Sequence, residues 1–542
     1  MRQLTALDTQ FLNVESATTA AHVAGLAVLD PAGGRLNRQA LAELLLARVH
    51  LSPALSLRVA EVPFGLDRPY WAHDPDFDLG NHLFERTLPA PGGTRELADA
   101  VADIHGRRLD RAHPLWEMHL IDGLGDGMVA VYTKVHHAAI DGVSGAETLA
   151  TLLDLSPDGH TWASAPATDP SRNPASTLSA GLTRTSPAGS AANSSVDSSV
   201  GSATCLVQRD DDAPGLFGML AGAAVHTVSH PARALRAVVR AAGDLDAIPL
   251  AAQVPGSRLI AEVARRVTGD RRHRPEVPSL AVPRTPFNGP IGAERRLAFG
   301  SLSLKDVKNV ARAHDLKVND VIMALCASAL RSWLTERDAL PEEPLIVAVP
   351  VAVRTASAQE LAGNQISAMV TSLPTDVADA RERLRAAGRA MGAAKRRFAA
   401  SPTGWLEELC TLLPAPVSGL AMPAVFRLAS VACPPINLII SNVPGPQFPL
   451  YLCGGRVLSY YPMSVLTDVS GGVNITCFSY DGMLDFGVVA CPERMDGVWE
   501  LIGHLRSALD ELLEEPTDDE FRDGARAGPV SGSPRQAGPA SA

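Results

Sequence analysis

Residues 128–147 read Met128-Val129-Ala130-Val131-Tyr132-Thr133-Lys134-Val135-His136-His137-Ala138-Ala139-Ile140-Asp141-Gly142-Val143-Ser144-Gly145-Ala146-Glu147. The first eight residues alternate as a strand with one strongly apolar face. Ser144 and Glu147 stand at capping-box spacing, so a helix opens there. The histidine pair thus lies where a strand gives way to a helix. If the strand runs through the pair, His137 shares a face with Val131, Thr133 and Val135, and His136 shares the other with Tyr132 and Lys134. Only one imidazole then enters a given cavity, and the other is left for structure. Adjacent histidines diverge and make poor joint metal ligands. No third ligand stands at the spacing of H-E-x-x-H, so no metal is expected here.

Outward from this stretch the chain reads as α/β in two halves. Residues 345–351 are nearly continuous apolar, as in a strand covered on both faces. Residues 473–480 and 483–490 flank Asp481-Gly482, a strong hairpin signal. Helices are expected over 320–334 and 381–398. Residues 164–214 are rich in Ser, Thr, Ala, Pro and Gly with few large apolar side chains, the composition of a disordered insert. Residues 215–285 read as a helical connecting region ending in a Pro- and Arg-rich stretch over 271–290, and 516–542 as a polar tail. The expected units are therefore 1–163 and 286–515.

The 542 residues are 46% hydrophobic and 20% charged, enough for sizeable cores. A net charge of −11 repels nucleic acid and anionic membranes in bulk, so an anionic ligand needs a local basic patch. The seven cysteines are scattered, with no C-x-x-C pair, which fits reduced thiols in a cytoplasmic protein. Neither a signal peptide nor a membrane span is apparent. Two apolar stretches, 216–242 and 414–431, could lie in a lipid interface, with core packing as the alternative.

The string His136 to Gly142 resembles the HHxxxDG motif of the CoA-dependent acyltransferase superfamily. Pro114-Leu115-Trp116 resembles the PLW motif of bacterial wax ester synthase/diacylglycerol acyltransferases. Asn319-Asp320 is similar to their ND motif, and Ser441-Asn442-Val443-Pro444-Gly445-Pro446 to their SNVPGP turn. Residues 4–30, 74–78, Gly363-Asn364 and 461–489 also resemble this family, so the likeness runs to about residue 515, the insert excepted.

The resemblance implies a two-domain fold of the chloramphenicol acetyltransferase type, with mixed sheets, helices and an active site at the domain interface. It implies direct acyl transfer from acyl-CoA, a co-substrate rather than a cofactor, to diacylglycerol or a fatty alcohol, at a membrane or lipid-inclusion surface. His137 would be the general base. His136 is either catalytic or structural. Asp141 either braces the loop or supports the base, with bracing favoured, and Gly142 allows close backbone approach. Asn319 is either the N-cap of the helix over 320–334 or an oxyanion donor. Pro114, Leu115 and Trp116 read as packing, and Ser441, Asn442, Pro444 and Gly445 as a turn after a strand over 436–441. The basic residues over 381–397 read as a solvated helix face before a phosphate site. No G-x-S-x-G elbow suggests a serine nucleophile. The rival readings are transfer to another hydroxyl, such as a glycolipid or polyketide, and a non-catalytic lipid-droplet coat.

Overall fold

The structure is a computed structural model. It describes residues 2–31, 35–140, 151–158, 257–269, 282–352, 366–400 and 434–514, with residues 148, 424, 427, 428, 430 and 431. Asp141, Gly142, the Ser144–Glu147 box, Gly363-Asn364, the stretches 164–214, 216–242 and 516–542, and most of 414–431 lie outside the described residues.

The first half contains β1 (Arg2–Gln3), α1 (Ala6–Asn13), β2 (His22–Asp30), α2 (Arg38–Arg48), α3 (Pro53–Ser56), β3 (Leu57–Ala60), β4 (Tyr70–His73), β5 (Leu83–Thr87), α4 (Thr94–His105), β6 (Trp116–Asp122) and β7 (Val129–His136). Helix α5 (Ser257–Thr268) lies in the connecting region. The second half contains β8 (Arg296–Ser303), α6 (Leu304–Ala313), α7 (Val318–Thr335), β9 (Leu345–Ala352), β10 (Ile366–Leu373), α8 (Ala380–Ala400), β11 (Leu438–Pro444), β12 (Tyr451–Leu452), β13 (Gly455–Met463), β14 (Val473–Tyr480), β15 (Met483–Ala490) and α9 (Val498–Leu513).

Two six-stranded mixed sheets result, ordered β12-β13-β2-β7-β6-β5 and β10-β9-β11-β14-β15-β8, beside a small β1-β4-β3 sheet. Sheet membership does not follow the expected division into 1–163 and 286–515. Strands β12 and β13 come from the second range, yet β13 pairs antiparallel with β2 and completes the first sheet. The presumed linker also packs in part, since Phe287 is fully buried and Asn437 Nδ2 donates to Pro283 O.

Period-two patterning builds the layers. On β15, Leu484, Phe486, Val488 and Ala490 face the largest core with α6, α7, α8 and α9. Asp485, Gly487 and Val489 alternate with them. Val489 joins Leu297, Phe299 and Tyr132 in a core shared by the two sheets and α4. The sheets approach closely at Gly487, where a β-carbon would overlap the Pro462 carbonyl of β13, so only glycine fits. Asp481-Gly482 turns the β14–β15 hairpin with both φ values positive, 42° and 84°, as a two-residue loop requires.

Candidate active site

Strand β7 ends at His136, and alternation separates the imidazoles. His136 is 1% exposed, on the face that carries Lys134 and Tyr132, whereas His137 is half-buried. Three backbone bonds fix this corner. The His136 N–H donates to Leu115 O (2.9 Å), the His137 N–H to Ala21 O (2.8 Å), and the Ala139 N–H to His136 O (2.9 Å). The Pro114-Leu115-Trp116 stretch therefore supports the histidine loop through its backbone. Its side chains pack: Leu115 and Trp116 are buried, and the Trp116 indole N–H donates to Leu55 O at 2.9 Å.

The His137 ring stacks on Phe11, centroids 4.0 Å apart and planes within 6°. Phe11 is carried on α1, which is anchored by a reciprocal capping box between Thr5 and the buried Asp8. A ring held face to face keeps one plane and loses little further freedom when substrate arrives. Replacing Phe11 by alanine is expected to lower kcat by about tenfold or more, with tyrosine largely restoring it. Equal turnover of the alanine variant at saturating donor would refute the positioning role.

His136 has a different task. Its Nδ1 accepts the Ala138 N–H at 3.0 Å, so the proton sits on Nε2, which faces Glu15 Oε1 at 3.4 Å. That tautomer makes His136 an internal brace. Burial alone would raise the Glu15 carboxyl, but His136 and Arg111 outweigh it and bring it down to about 2. Arg111 reaches Glu15 Oε2 through Nη2 (2.8 Å) and Nε (3.2 Å), and donates to Leu12 O. Glu15 also accepts the Ala21 N–H (3.2 Å), the same residue whose carbonyl holds His137. Arg295 of the second half donates to Thr18 O, tying residues 15–21 to the other sheet.

Behind His136 lies a buried polar layer kept low in charge. His22 stands opposite His136 in register, and burial holds its imidazole well below its usual range. His105 is pushed down to about 3 by burial, then by Arg295 and Lys134, and meets the Tyr132 hydroxyl at 2.7 Å. Lys134 is fully buried and satisfied by Ile104 O, Arg107 O and the Glu117 carboxylate at 3.1 Å. His137, next along the chain, is the less buried of the pair.

The second half brings two more motifs together, with two corrections to the sequence reading. Helix α7 begins at Val318, so Asn319 is not its N-cap. Lys317 holds that position, and Asp320 accepts its N–H at 3.1 Å in a capping-box arrangement. Asn319 Oδ1 instead accepts from Asn442 Nδ2 at 3.1 Å, joining the Asn319-Asp320 and Ser441–Pro446 stretches. Strand β11 runs on through Pro444, pairing Ser441, Asn442, Val443 and Pro444 with Thr476, Cys477, Phe478 and Ser479. The turn starts at Gly445, where a β-carbon would overlap Phe478 and Ser479. Val443 packs in one apolar cluster with Ile140 and Val135, so β11 ends against the histidine corner. The clustered His, Cys, Asp and Glu side chains that could hold a metal among the described residues, Glu336, Glu500 and His504, lie at the C-terminal cap of α7 and on α9, the opposite end of α7 from Asn319.

Phe11, Glu15 and Arg111 escaped the residue-by-residue reading. Phe11 and Glu15 fall inside the family-like stretch 4–30, the available signal for them.

A strand-end histidine pair at the junction of two mixed sheets, with one imidazole braced inside and the other half-buried beside it, defines an acyltransferase of the HHxxxDG class. The wax ester synthase/diacylglycerol acyltransferase catalytic-domain model matches residues 4–322, and the C-terminal-domain model of the same family matches 362–513. The chain belongs to this family. It is 34% identical over 519 residues to a putative diacylglycerol O-acyltransferase of Mycobacterium tuberculosis, covering 95% of this chain and 90% of that protein. A probable diacylglycerol O-acyltransferase of the same organism is 32% identical over 508 residues, covering 93% and 97%. Among solved structures, the wax ester synthase/diacylglycerol acyltransferase from Marinobacter aquaeolei superposes with a TM-score of 0.61 at 26% identity, over 97% of this chain and 100% of that one. The expected two-sheet α/β fold is borne out.

Proposed function

We propose that the protein transfers a long acyl chain from acyl-CoA to the hydroxyl of diacylglycerol, with fatty alcohol as a second acceptor. The acceptor oxygen attacks the thioester carbonyl, and the C–S bond breaks. His137 takes the hydroxyl proton and returns it to the departing thiolate, so triacylglycerol and CoA–SH leave with no net proton. A thioester is already activated, and the scheme uses neither an acyl-enzyme nor a cofactor. The observation that carries this reading is the His137 ring, half-buried and stacked on Phe11 next to the His136 that faces Glu15. Asn319 and Asn442 are offered as the amide pair nearest the developing oxyanion. Asp141 and Gly142 complete the motif in sequence.

We place the protein in the cytoplasm, at a membrane or lipid-inclusion surface. Among the described residues no helix is long and apolar enough to cross a membrane. Helix α5 leaves Leu259, Ile260 and Val263 half or more exposed beside Arg258 and Arg266, a face suited to lying in an interface.

The test is thiol release from palmitoyl-CoA by the purified protein, with dipalmitoylglycerol or hexadecanol as acceptor. Acceptor-dependent release is the expected result, and the faster acceptor identifies the preferred substrate. No release with either, from folded protein that binds both lipids, would overturn the proposal in favour of another acceptor or a lipid-coat role.

A further inference from the structure

Helix α8 concentrates cations in an acidic protein. Between Ala380 and Ala400 it carries seven Lys and Arg residues and one carboxylate, Glu382, against a net charge of −11 for the whole chain. The structure divides these cations into two groups. Arg383 is buried and donates to Ser328 Oγ and the carbonyls of Val377 and Ala378. Arg381 donates to Glu514 O, Arg397 to Val370 O, and Lys395 pairs with Asp320 at 3.2 Å. These four serve the fold. Arg385, Arg389 and Arg396 are exposed and have neither ion pair nor hydrogen bond among the described residues.

Their spacing is four and seven residues, so they lie along one stripe of the helix, about 16 Å from first to last. Gly392 occupies the same stripe between Arg389 and Arg396, and the Arg396 guanidinium lies over it. The neighbouring α6–α7 loop is packed onto α8, since a β-carbon at Gly388 would overlap the Leu316 side chain. That loop adds His314 and the exposed Lys317. Burial and the charges of Arg385 and Arg381 disfavour the protonated form of His314, an independent sign of concentrated positive potential. A solvated helix face normally intersperses charges of both signs. This one does not.

The stripe also has a direction. Lys395, six residues or roughly 9 Å along the helix from Arg389, fastens α8 to Asp320. Asp320 adjoins Asn319, whose side chain meets Asn442. One end of the ridge thus reaches the motifs of the candidate site, while the other runs outward along the surface. A ligand fitting this layout has several phosphates at one end and an extended uncharged arm at the other.

We propose that Arg385, Arg389 and Arg396, with Lys317 and His314 beside them, bind the 3′-phosphate and pyrophosphate of coenzyme A, so that the pantetheine arm runs along α8 toward Asn319. The inference rests on the acyl-CoA reading above. Guanidinium groups suit the role because they grip phosphate oxygens in pairs and stay charged. Because bulk charge repels anions, affinity for the donor depends on this local field.

The experiment compares wild type with the Arg385→Gln/Arg389→Gln/Arg396→Gln variant on two donors. These are palmitoyl-CoA and palmitoyl-S-N-acetylcysteamine, which has the thioester but no phosphate. We expect KM for palmitoyl-CoA to rise by about tenfold or more, as for lost charge-assisted hydrogen bonds, with turnover of the acetylcysteamine thioester unchanged. Adenosine 3′,5′-bisphosphate should bind wild type by calorimetry and lose that binding in the variant. An equal loss on both donors, or an unchanged KM for palmitoyl-CoA, would overturn the assignment. So would a variant whose only defect is weaker sedimentation with phosphatidylglycerol vesicles, which would mark a lipid-headgroup surface. If wild type turns over neither donor, the acyl-transfer reading fails, and the bisphosphate titration still decides the phosphate site by itself.

Discussion

Replacing His137 by alanine is expected to lower acceptor-dependent thiol release about 10²–10⁴-fold, the usual contribution of a positioned general base, while the protein stays folded. The two effects separate because the described contacts of His137 cost little to lose. Its backbone bond to Ala21 O survives the substitution, and the loss of its stack on Phe11 costs on the order of 1 kcal/mol. His136→Ala should behave differently. It removes the acceptor of the Ala138 N–H and leaves the ionised Glu15 with Arg111 as its remaining charged partner, so it loses stability as well as rate. Thermal melts beside initial rates test the contrast. A folded His137→Ala protein within threefold of wild type would remove this imidazole from the chemistry.

The division of labour within the pair was half legible in the sequence. Alternation along 128–135 put the two rings on opposite faces, and the structure bears this out in the burial of His136 with Lys134 and Tyr132. What fixes each ring was not legible. Phe11 and Glu15 lie more than 100 residues from the histidines in sequence, and no local period announces such a contact. Asn319 misled for a local reason. Asn followed by Asp before an apolar run resembles a cap, but in a capping box the acid at the third helical position does the bonding, so Lys317 could hold the cap itself. Strand β11 outran its expected end because β14 pairs with it through Pro444, whereas β9 pairs with Leu438 and Ile439. Farther along, one side of β11 has no strand neighbour among the described residues, and Pro444 loses no ladder bond there for lack of an N–H. The passage of β13 into the first sheet is a matter of topology, which strand patterning does not encode.

That passage creates the second large effect, at Asp485. Strand β12 pairs with Gly455 and Arg456, and among the described residues no strand pairs with the remainder of that edge of β13. Asp485 on β15 takes the Tyr460 N–H at 2.8 Å and the Ser301 hydroxyl at 2.6 Å, and is fully buried between the sheets. Burial pushes its carboxyl up from 3.8 to about 6, against the pull of those two hydrogen bonds. The folded protein therefore holds this proton more tightly than the unfolded chain. Below about pH 4 both states are protonated and the penalty is absent. As pH rises from there to 6 the unfolded chain ionises first, and the folded state loses roughly 3 kcal/mol of relative stability. Glu15 works in the opposite sense, since its lowered value adds stability that disappears only as pH falls toward 2. Asp485→Asn keeps the shape, can accept the Tyr460 N–H and donate to Ser301, and cannot ionise. Its stability relative to wild type should therefore increase between pH 4 and pH 7, approaching that 3 kcal/mol, and the measurement is the urea midpoint of both proteins across the range. A difference that stays constant with pH would show that Asp485 ionises in the folded protein as it does in the unfolded chain, and burial between the sheets would then not raise its carboxyl.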